Sequence, residues 1–318
     1  MRPTGPLHLG NFHGALANWV DMQDAYDCFF FIADWHALTS DYEDPRALRE
    51  HIRNMMLDWL SAGLSPDKST MFVQSHIKEH AELFLLLSMI TPVPWLERNP
   101  TYKDQIVQLS NKDLSTFGFL GYPVLQAADI IMYKANGVPV GVDQVPHVEI
   151  TREIARRFNF LYADVFPEPD AILTQTPKIL GTDRRKMSKS YNNAIYLSDS
   201  PDDIRTRVAA MITDPQRARR SDPGNPDVCN VFEFHKIYTD KEIVANINQE
   251  CRQAQIGCVE CKKMMAEHLI KSLEPYREKR AYFEARPELV DDMIKDGDRK
   301  ARAVAEKTMA EVRAVLNL

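Results

Sequence analysis

Cys28-Phe29-Phe30-Phe31-Ile32-Ala33 is an unbroken apolar run with three aromatic rings, closed by Asp34. Its length and polar borders read as a buried strand. Helical stripes surround it. Leu16, Trp19 and Val20 recur at helical spacing within 14–26, as do Leu48, Ile52, Met55, Met56 and Trp59 within 45–64. Thr70-Met71-Phe72-Val73 is a second short strand, and the helix over 82–90 is stopped by Pro92 and Pro94. Residues 125–133 read as helix, Val138-Pro139-Val140 as a strand and 145–158 as helix. This alternation predicts an α/β fold, a Rossmann-like parallel sheet with helices on both faces. After Ser190 strand signals thin out, and 201–211, 240–253, 260–273 and 287–315 read as helices with charged outer faces. The spacing predicts a first domain over 1–194 and a mostly helical one over 195–318, whose last helix can pack back on the first.

At 44% hydrophobic and 26% charged, the 318 residues exclude a disordered or fibrous chain. A net charge of −6 argues against coating nucleic acid by overall charge, leaving only a local basic patch. The apolar stretches are too short to span a bilayer and no secretory signal opens the chain, so a soluble cytoplasmic protein is expected. Five cysteines in such a chain are no disulfide framework.

Two segments carry chemistry. Arg2-Pro3-Thr4-Gly5-Pro6-Leu7-His8-Leu9-Gly10-Asn11 runs into a helix. Glycine there lets a ring or phosphate lie against the backbone, and a helix N-terminus offers free N–H groups to an anion. His8 and Asn11 add side-chain donors. The plainer reading is an ordinary Gly/Pro turn. Arg184-Arg185-Lys186-Met187-Ser188-Lys189-Ser190 sits at the domain junction. A solvated basic run is the plain reading. Two lysines flanking Met-Ser also suit a polyphosphate whose charge moves to a leaving pyrophosphate.

Together the two segments resemble the class I aminoacyl-tRNA synthetases. His8-Leu9-Gly10-Asn11 stands at the "HIGH" position, and Lys186 to Ser190 match "KMSKS" letter for letter. Gly121-Tyr122-Pro123-Val124-Leu125-Gln126-Ala127-Ala128-Asp129 and Val140-Gly141-Val142-Asp143-Gln144-Val145-Pro146-His147 resemble the bacterial tryptophanyl branch. The resemblance implies ATP-dependent activation of L-tryptophan to tryptophanyl-adenylate and its transfer to tRNA(Trp), with Mg²⁺, by a homodimer. It implies catalytic roles for His8, Asn11, Lys186 and Lys189. ATP contacts follow for Arg2, Pro3, Thr4, Gly10, Gly141, Val142, Asp143, Ile179, Met187, Ser188 and Ser190. Asp129 would accept the indole N–H, Tyr122 and Gln144 would hold the ammonium, and His36, Gln126, Val138 and Val140 would line the pocket. Residue by residue, Asp129 reads equally as a buried structural ion pair, Asp143 as a helix N-cap and His147 as a structural partner. Arg184, Arg185, Arg217, Arg219 and Arg220 would supply a local phosphate track for tRNA.

Relatives carry a short strand before the Arg-Pro-Thr-Gly segment, whereas this chain begins at Met1, so a truncated or misassigned start is expected. Arg2 and Gln126 also depart from the common pattern. Two alternatives stand beside this reading: a tyrosyl-tRNA synthetase, and a non-catalytic RNA-binding relative.

Cys229, Cys251, Cys258 and Cys261 form C-x21-C-x6-C-x2-C. Four thiolates with a CxxC pair suit a structural zinc or an iron–sulfur cluster, and spacing does not choose between them. The resemblance extends to tryptophanyl enzymes that carry a [4Fe-4S] cluster in the anticodon-binding domain, and so favours iron over Zn²⁺.

Overall fold

The computed structural model describes residues 1–103, 113–173 and 179–318. The apolar run forms β1 (Cys28–Ile32), parallel to β2 (Ser69–Val73), with Phe29 opposite Thr70 and Phe31 opposite Phe72. A second parallel pair joins β3 (Gly137–Val140) to β4 (Asp170–Leu173). β4 has no sequence signature of its own, because Asp170-Ala171-Ile172-Leu173 is short and half-exposed. Among the described residues the two pairs share no ladder, in place of one continuous sheet. Met1 pairs with the free edge of β1. Its ammonium donates to the Phe31 carbonyl at 2.7 Å, and the Ala33 N–H donates to the Met1 carbonyl at 2.8 Å.

The first motif opens as α1 (Leu9–Asn11), passes through a π-helical turn over Phe12–Leu16 and continues as α2 (Ala17–Met22). Helices α3 (Asp34–Asp41), α4 (Leu48–Ala62), α5 (Glu79–Ser88), α6 (Val93–Arg98), α7 (Phe117–Ile131) and α8 (Val145–Leu161) follow. The stripe in α4 buries Met55, Met56 and Trp59. Gly63 stops it with φ +113°, a left-handed conformation that other residues resist. Pro92 and Pro94 end one helix, as expected, and start another. Pro94 sits in the first turn of α6, where its missing N–H has no partner to lose.

The chain then runs through α9 (Pro201–Ala209), α10 (Asn230–Tyr238), α11 (Lys241–Arg252), α12 (Cys258–Ser272), α13 (Glu274–Glu284) and α14 (Pro287–Leu316). No described helix is long and apolar enough to cross a membrane. One core gathers Leu7, Leu9, Phe30, Trp59 and Ile195 with Phe234, Met265 and Leu269 from α10 and α12. The other gathers Phe72, Val124, Ile154 and Phe158 with Ala301, Ala305, Met309 and Val312 of α14.

Helix α14 lies directly on β2. Asp298 accepts the Val73 N–H at 3.2 Å and pairs with His76 at 2.6 Å. A side-chain carboxylate thus satisfies a strand donor that a further strand would otherwise take. The approach is so close that a Cβ on Gly297 would fall 1.7 Å from the Met71 carbonyl oxygen. Helix propensity alone would make Gly297→Ala stabilising by about 1 kcal/mol. The clash with rigid backbone outweighs this, so the variant should lose roughly 3 kcal/mol and its melting midpoint should fall. An unchanged or raised midpoint in thermal unfolding would contradict the contact.

Candidate active site

The two motifs meet. Leu9 N–H donates to the Ile195 carbonyl at 2.9 Å and Leu197 N–H to the Leu7 carbonyl at 2.9 Å, an antiparallel bridge centred on His8 and Tyr196. Gly10 N–H points at Met187 Sδ, 3.4 Å away. A Cβ on Gly10 would lie 3.0 Å from His8 Nδ1, so a larger residue there would press on the His8 ring. The N–H groups expected to stand free at this helix start are engaged: Leu9 by Ile195, Gly10 by Met187 and Asn11 by His8. Met187 sulfur is a weak acceptor, so the Gly10 donor is the one an anion can recruit most easily.

His8 and Asn11 cap each other. His8 Nδ1 accepts the Asn11 N–H at 3.1 Å, and Asn11 Oδ1 accepts the His8 N–H at 3.1 Å. Burial, reinforced by the charge of Lys189, lowers the His8 pKa to about 4. The ring is therefore neutral at pH 7, and with Nδ1 accepting, its proton sits on Nε2. Burial also lowers Lys189 to about 8, with Asp58 opposing. Its Nζ lies 3.3 Å from where a Cβ on Gly5 would stand, and Gly5 itself has φ +115°. The second motif is held from behind by Asn193, which accepts the Ser188 N–H at 2.8 Å and donates to Asp183 at 2.7 Å. Lys186 and Ser190 are exposed.

A second group of residues surrounds Asp129, 1% exposed on α7. His36 Nε2 lies 2.7 Å from Oδ2 and His80 Nδ1 2.6 Å from Oδ1. Gln74 Nε2 spans both oxygens at 2.8 and 2.9 Å. His80 reaches on to the Tyr133 hydroxyl at 2.7 Å. Burial pushes the Asp129 carboxyl up, but the hydrogen bonds from His36 and His80 prevail and hold it at about 2. Of this network the sequence marked only Asp129 and His36. Gln74, His80 and Tyr133 carry no motif: Gln74 and Tyr133 merely end apolar runs, and His80 follows the charged pair Lys78 and Glu79.

Tyr122 is buried with its hydroxyl 3.2 Å from His147 Nε2. Burial lowers His147 to about 4, and the charge of His36 lowers it further. His147 thus partners Tyr122 structurally, as the plain reading has it. Asp143 is no helix N-cap: it is exposed in a 3-10 turn over Val142–Gln144, and Gln144 precedes α8. Val138 and Val140 lie on β3, Gln126 and Gln144 are half-buried and Ile179 is buried. Arg2 Nη1 is 3.4 Å from Ser40 Oγ, while Pro3 is buried and Thr4 exposed.

The four clustered cysteines come near one another, and burial together with the neighbouring cysteines pushes up the Cys229, Cys251 and Cys261 thiols. Cys261 is pushed up to about 12 by burial and by the other three. Arg217 turns inward, away from the expected phosphate track. Its Nη1 lies 3.9 Å from both Cys251 Sγ and Cys258 Sγ, and Nη2 donates to the Ile256 carbonyl at 2.9 Å. The soft donor set suits a thiolate-bound centre. Among the described residues, however, no group of three or more His, Cys, Asp or Glu side chains is disposed to hold a metal ion.

The Asp129 network has a pH signature. Its folded pKa lies below the unfolded carboxylate value, so its stabilisation is present above about pH 4 and lost as pH falls towards 2. Unfolding midpoints measured between pH 5 and 2 should show the wild-type chain losing about 2 kcal/mol more than Asp129→Asn. Parallel curves would contradict the network.

A family model described as tRNA synthetases class I (W and Y) matches residues 1–274. The tryptophan–tRNA ligase of Thermotoga maritima is 54% identical over 320 residues, covering all of this chain and 98% of that relative. That of Aquifex aeolicus is 47% identical over 388 residues, with 100% and 98% covered. The crystal structure of tryptophanyl-tRNA synthetase from Campylobacter jejuni, complexed with ADP and tryptophan, matches at TM-score 0.93 and 33% identity, covering 100% of this chain and 98% of that one. With matches that run the length of the chain, and with both nucleotide motifs meeting in space, the chain belongs to the class I tRNA synthetases and, within them, to the tryptophan–tRNA ligases.

Proposed function

We propose that the chain activates L-tryptophan with ATP, taken as its Mg²⁺ complex, and passes the product to tRNA(Trp). A tryptophan carboxylate oxygen attacks the α-phosphorus, the bond to the β-bridging oxygen breaks, and pyrophosphate leaves. A terminal ribose hydroxyl of the tRNA then attacks the acyl carbon and AMP leaves. No side chain becomes covalently bonded, so catalysis is positioning plus stabilisation of moving charge. The observation that carries this is the meeting of the two motifs: Leu7 and Leu9 pair by backbone with Leu197 and Ile195, just beyond the lysine segment, and the Gly10 N–H meets Met187 Sδ within it.

In this reading neutral His8 donates from Nε2 to a phosphate, with Asn11 fixing its ring. Lys189 and exposed Lys186 neutralise the leaving pyrophosphate, and Met187 packs near the adenine. Asp129 accepts the indole N–H, held ready by Gln74, His36 and His80; a side chain without that donor would leave a buried acceptor unpaired. Residues 195–318 form the anticodon-binding part. The protein is cytoplasmic and works as a homodimer, a reading supported by exposed Leu85, Met89 and Val93 on and between α5 and α6. Cys229, Cys251, Cys258 and Cys261 hold a structural [4Fe-4S] cluster, with zinc as the alternative. Their spacing and the guanidinium of Arg217 beside two of them support a thiolate-bound metal centre, and the resemblance favours iron.

Three measurements test these statements. Pyrophosphate exchange should depend on tryptophan and not on tyrosine. Lys189→Ala should slow activation by about 100-fold or more while changing tryptophan affinity less than about threefold; equal losses would contradict the role. Anaerobically purified protein should be brown with iron present, and colourless protein with stoichiometric zinc would overturn the cluster.

A further inference from the structure

One buried carboxylate outside the two pockets is unused by the reaction described above. Asp58, on α4, is 1% exposed. Its Oδ2 accepts the N–H of Leu7, the residue before His8, at 3.2 Å. Its Oδ1 accepts the Tyr276 hydroxyl at 2.5 Å and pairs with the Arg280 guanidinium. Tyr276 and Arg280 both belong to α13. Arg280 is fixed in turn by Asn54 Oδ1 at 3.1 Å and by Glu284 at 2.8 Å. One carboxylate therefore joins the turn before His8 to the helical part of the chain.

Stability alone is a weak account of this arrangement. Desolvation offsets most of the attraction within a buried ion pair, and apolar side chains of matched volume would join α4 to α13 as well. Direction is what a carboxylate adds. It fixes the Leu7 amide, and so the entry into the His8 turn. Leu7 is buried, and Asp58 is the acceptor that satisfies its N–H.

We propose that Asp58 is a positioning residue for tryptophan activation, holding the Leu7–His8 turn, and that Tyr276 and Arg280 make this hold depend on α13. The proposal rests on the reading of Leu7 to Asn11 as ATP-binding machinery. It ties the helical part of the chain to the nucleotide turn through a single side chain.

The test is tryptophan-dependent pyrophosphate exchange, with active sites counted by trapped adenylate. It compares wild type, Asp58→Asn, Tyr276→Phe, Arg280→Met, Arg280→Lys and the double variant Asp58→Asn/Arg280→Met. Asp58→Asn should raise KM for ATP and lower kcat per site, together by about 10- to 100-fold, with KM for tryptophan within about twofold of wild type. Tyr276→Phe and Arg280→Met should move the same two constants by about 3- to 10-fold, and Arg280→Lys should recover most of the loss. The double variant should be no worse than Asp58→Asn, because both changes break one linkage. Partial unfolding would instead lower the count of active sites and leave both KM values alone. Wild-type constants in both Tyr276→Phe and Arg280→Met would overturn the proposal, as would full additivity in the double variant. If Asp58→Asn does not fold, the two α13 variants decide. A wild-type chain without tryptophan-dependent exchange removes the underlying reading, a failure distinct from active variants of an active enzyme.

Discussion

The pairing of Leu7 and Leu9 with Ile195 and Leu197 is the constraint on which the site depends. Nearly two hundred residues separate the partners in sequence, and both flanking segments are glycine- or lysine-rich stretches with little apolar surface. Neither would hold a fixed course alone. Two backbone hydrogen bonds, set on a core of Leu7, Leu9, Ile195 and Leu197, fix one against the other. The rest of the two motifs is then set by short local links: the reciprocal cap of His8 and Asn11, the Met187 contact, and the clamp of Asn193 on Ser188.

The Asp129 network rests on a different balance. A fully buried carboxylate is costly, and Asp129 persists because two imidazoles and an amide surround it. Such a carboxylate resists reorientation, since each donor would lose its acceptor. The nucleotide side is looser, with its lysines partly solvated and its glycines in contact with flexible side chains. On the function proposed above, rigidity would fall where the ring is read and compliance where charge moves, as an adenylate-forming reaction asks of its two half-sites.

Much of this was legible in the sequence. The strand over Cys28–Ile32 and the helices α4 and α8 followed from apolar periodicity, and the nucleotide motifs from residue identity. The misses have physical causes. β4 is too short and too exposed to leave a pattern, and α6 hides behind prolines that serve as its start. The 3-10 turn at Val142–Gln144 displaces Asp143 from the cap position that Pro146 suggested. Gln74, His80 and Arg217 are polar residues whose partners lie far along the chain, and only folding reveals what they face. Asp58, set within a helical stripe of Met55, Met56 and Trp59, reads in isolation as an interruption rather than a hub.

Helix α14 supplies Ala301, Ala305, Met309 and Val312 to the core beneath β2, α7 and α8, and its Asp298 closes the donor of Val73. A nascent chain leaves the ribosome from its N-terminus, so the sheet half waits, with that flank bare, until Pro287–Leu316 has been translated. Until then Phe72 and Phe158 lack their cover. The helix that seals the sheet is thus made well after it, and ribosomes that stall before it release a product with a wet, adhesive flank.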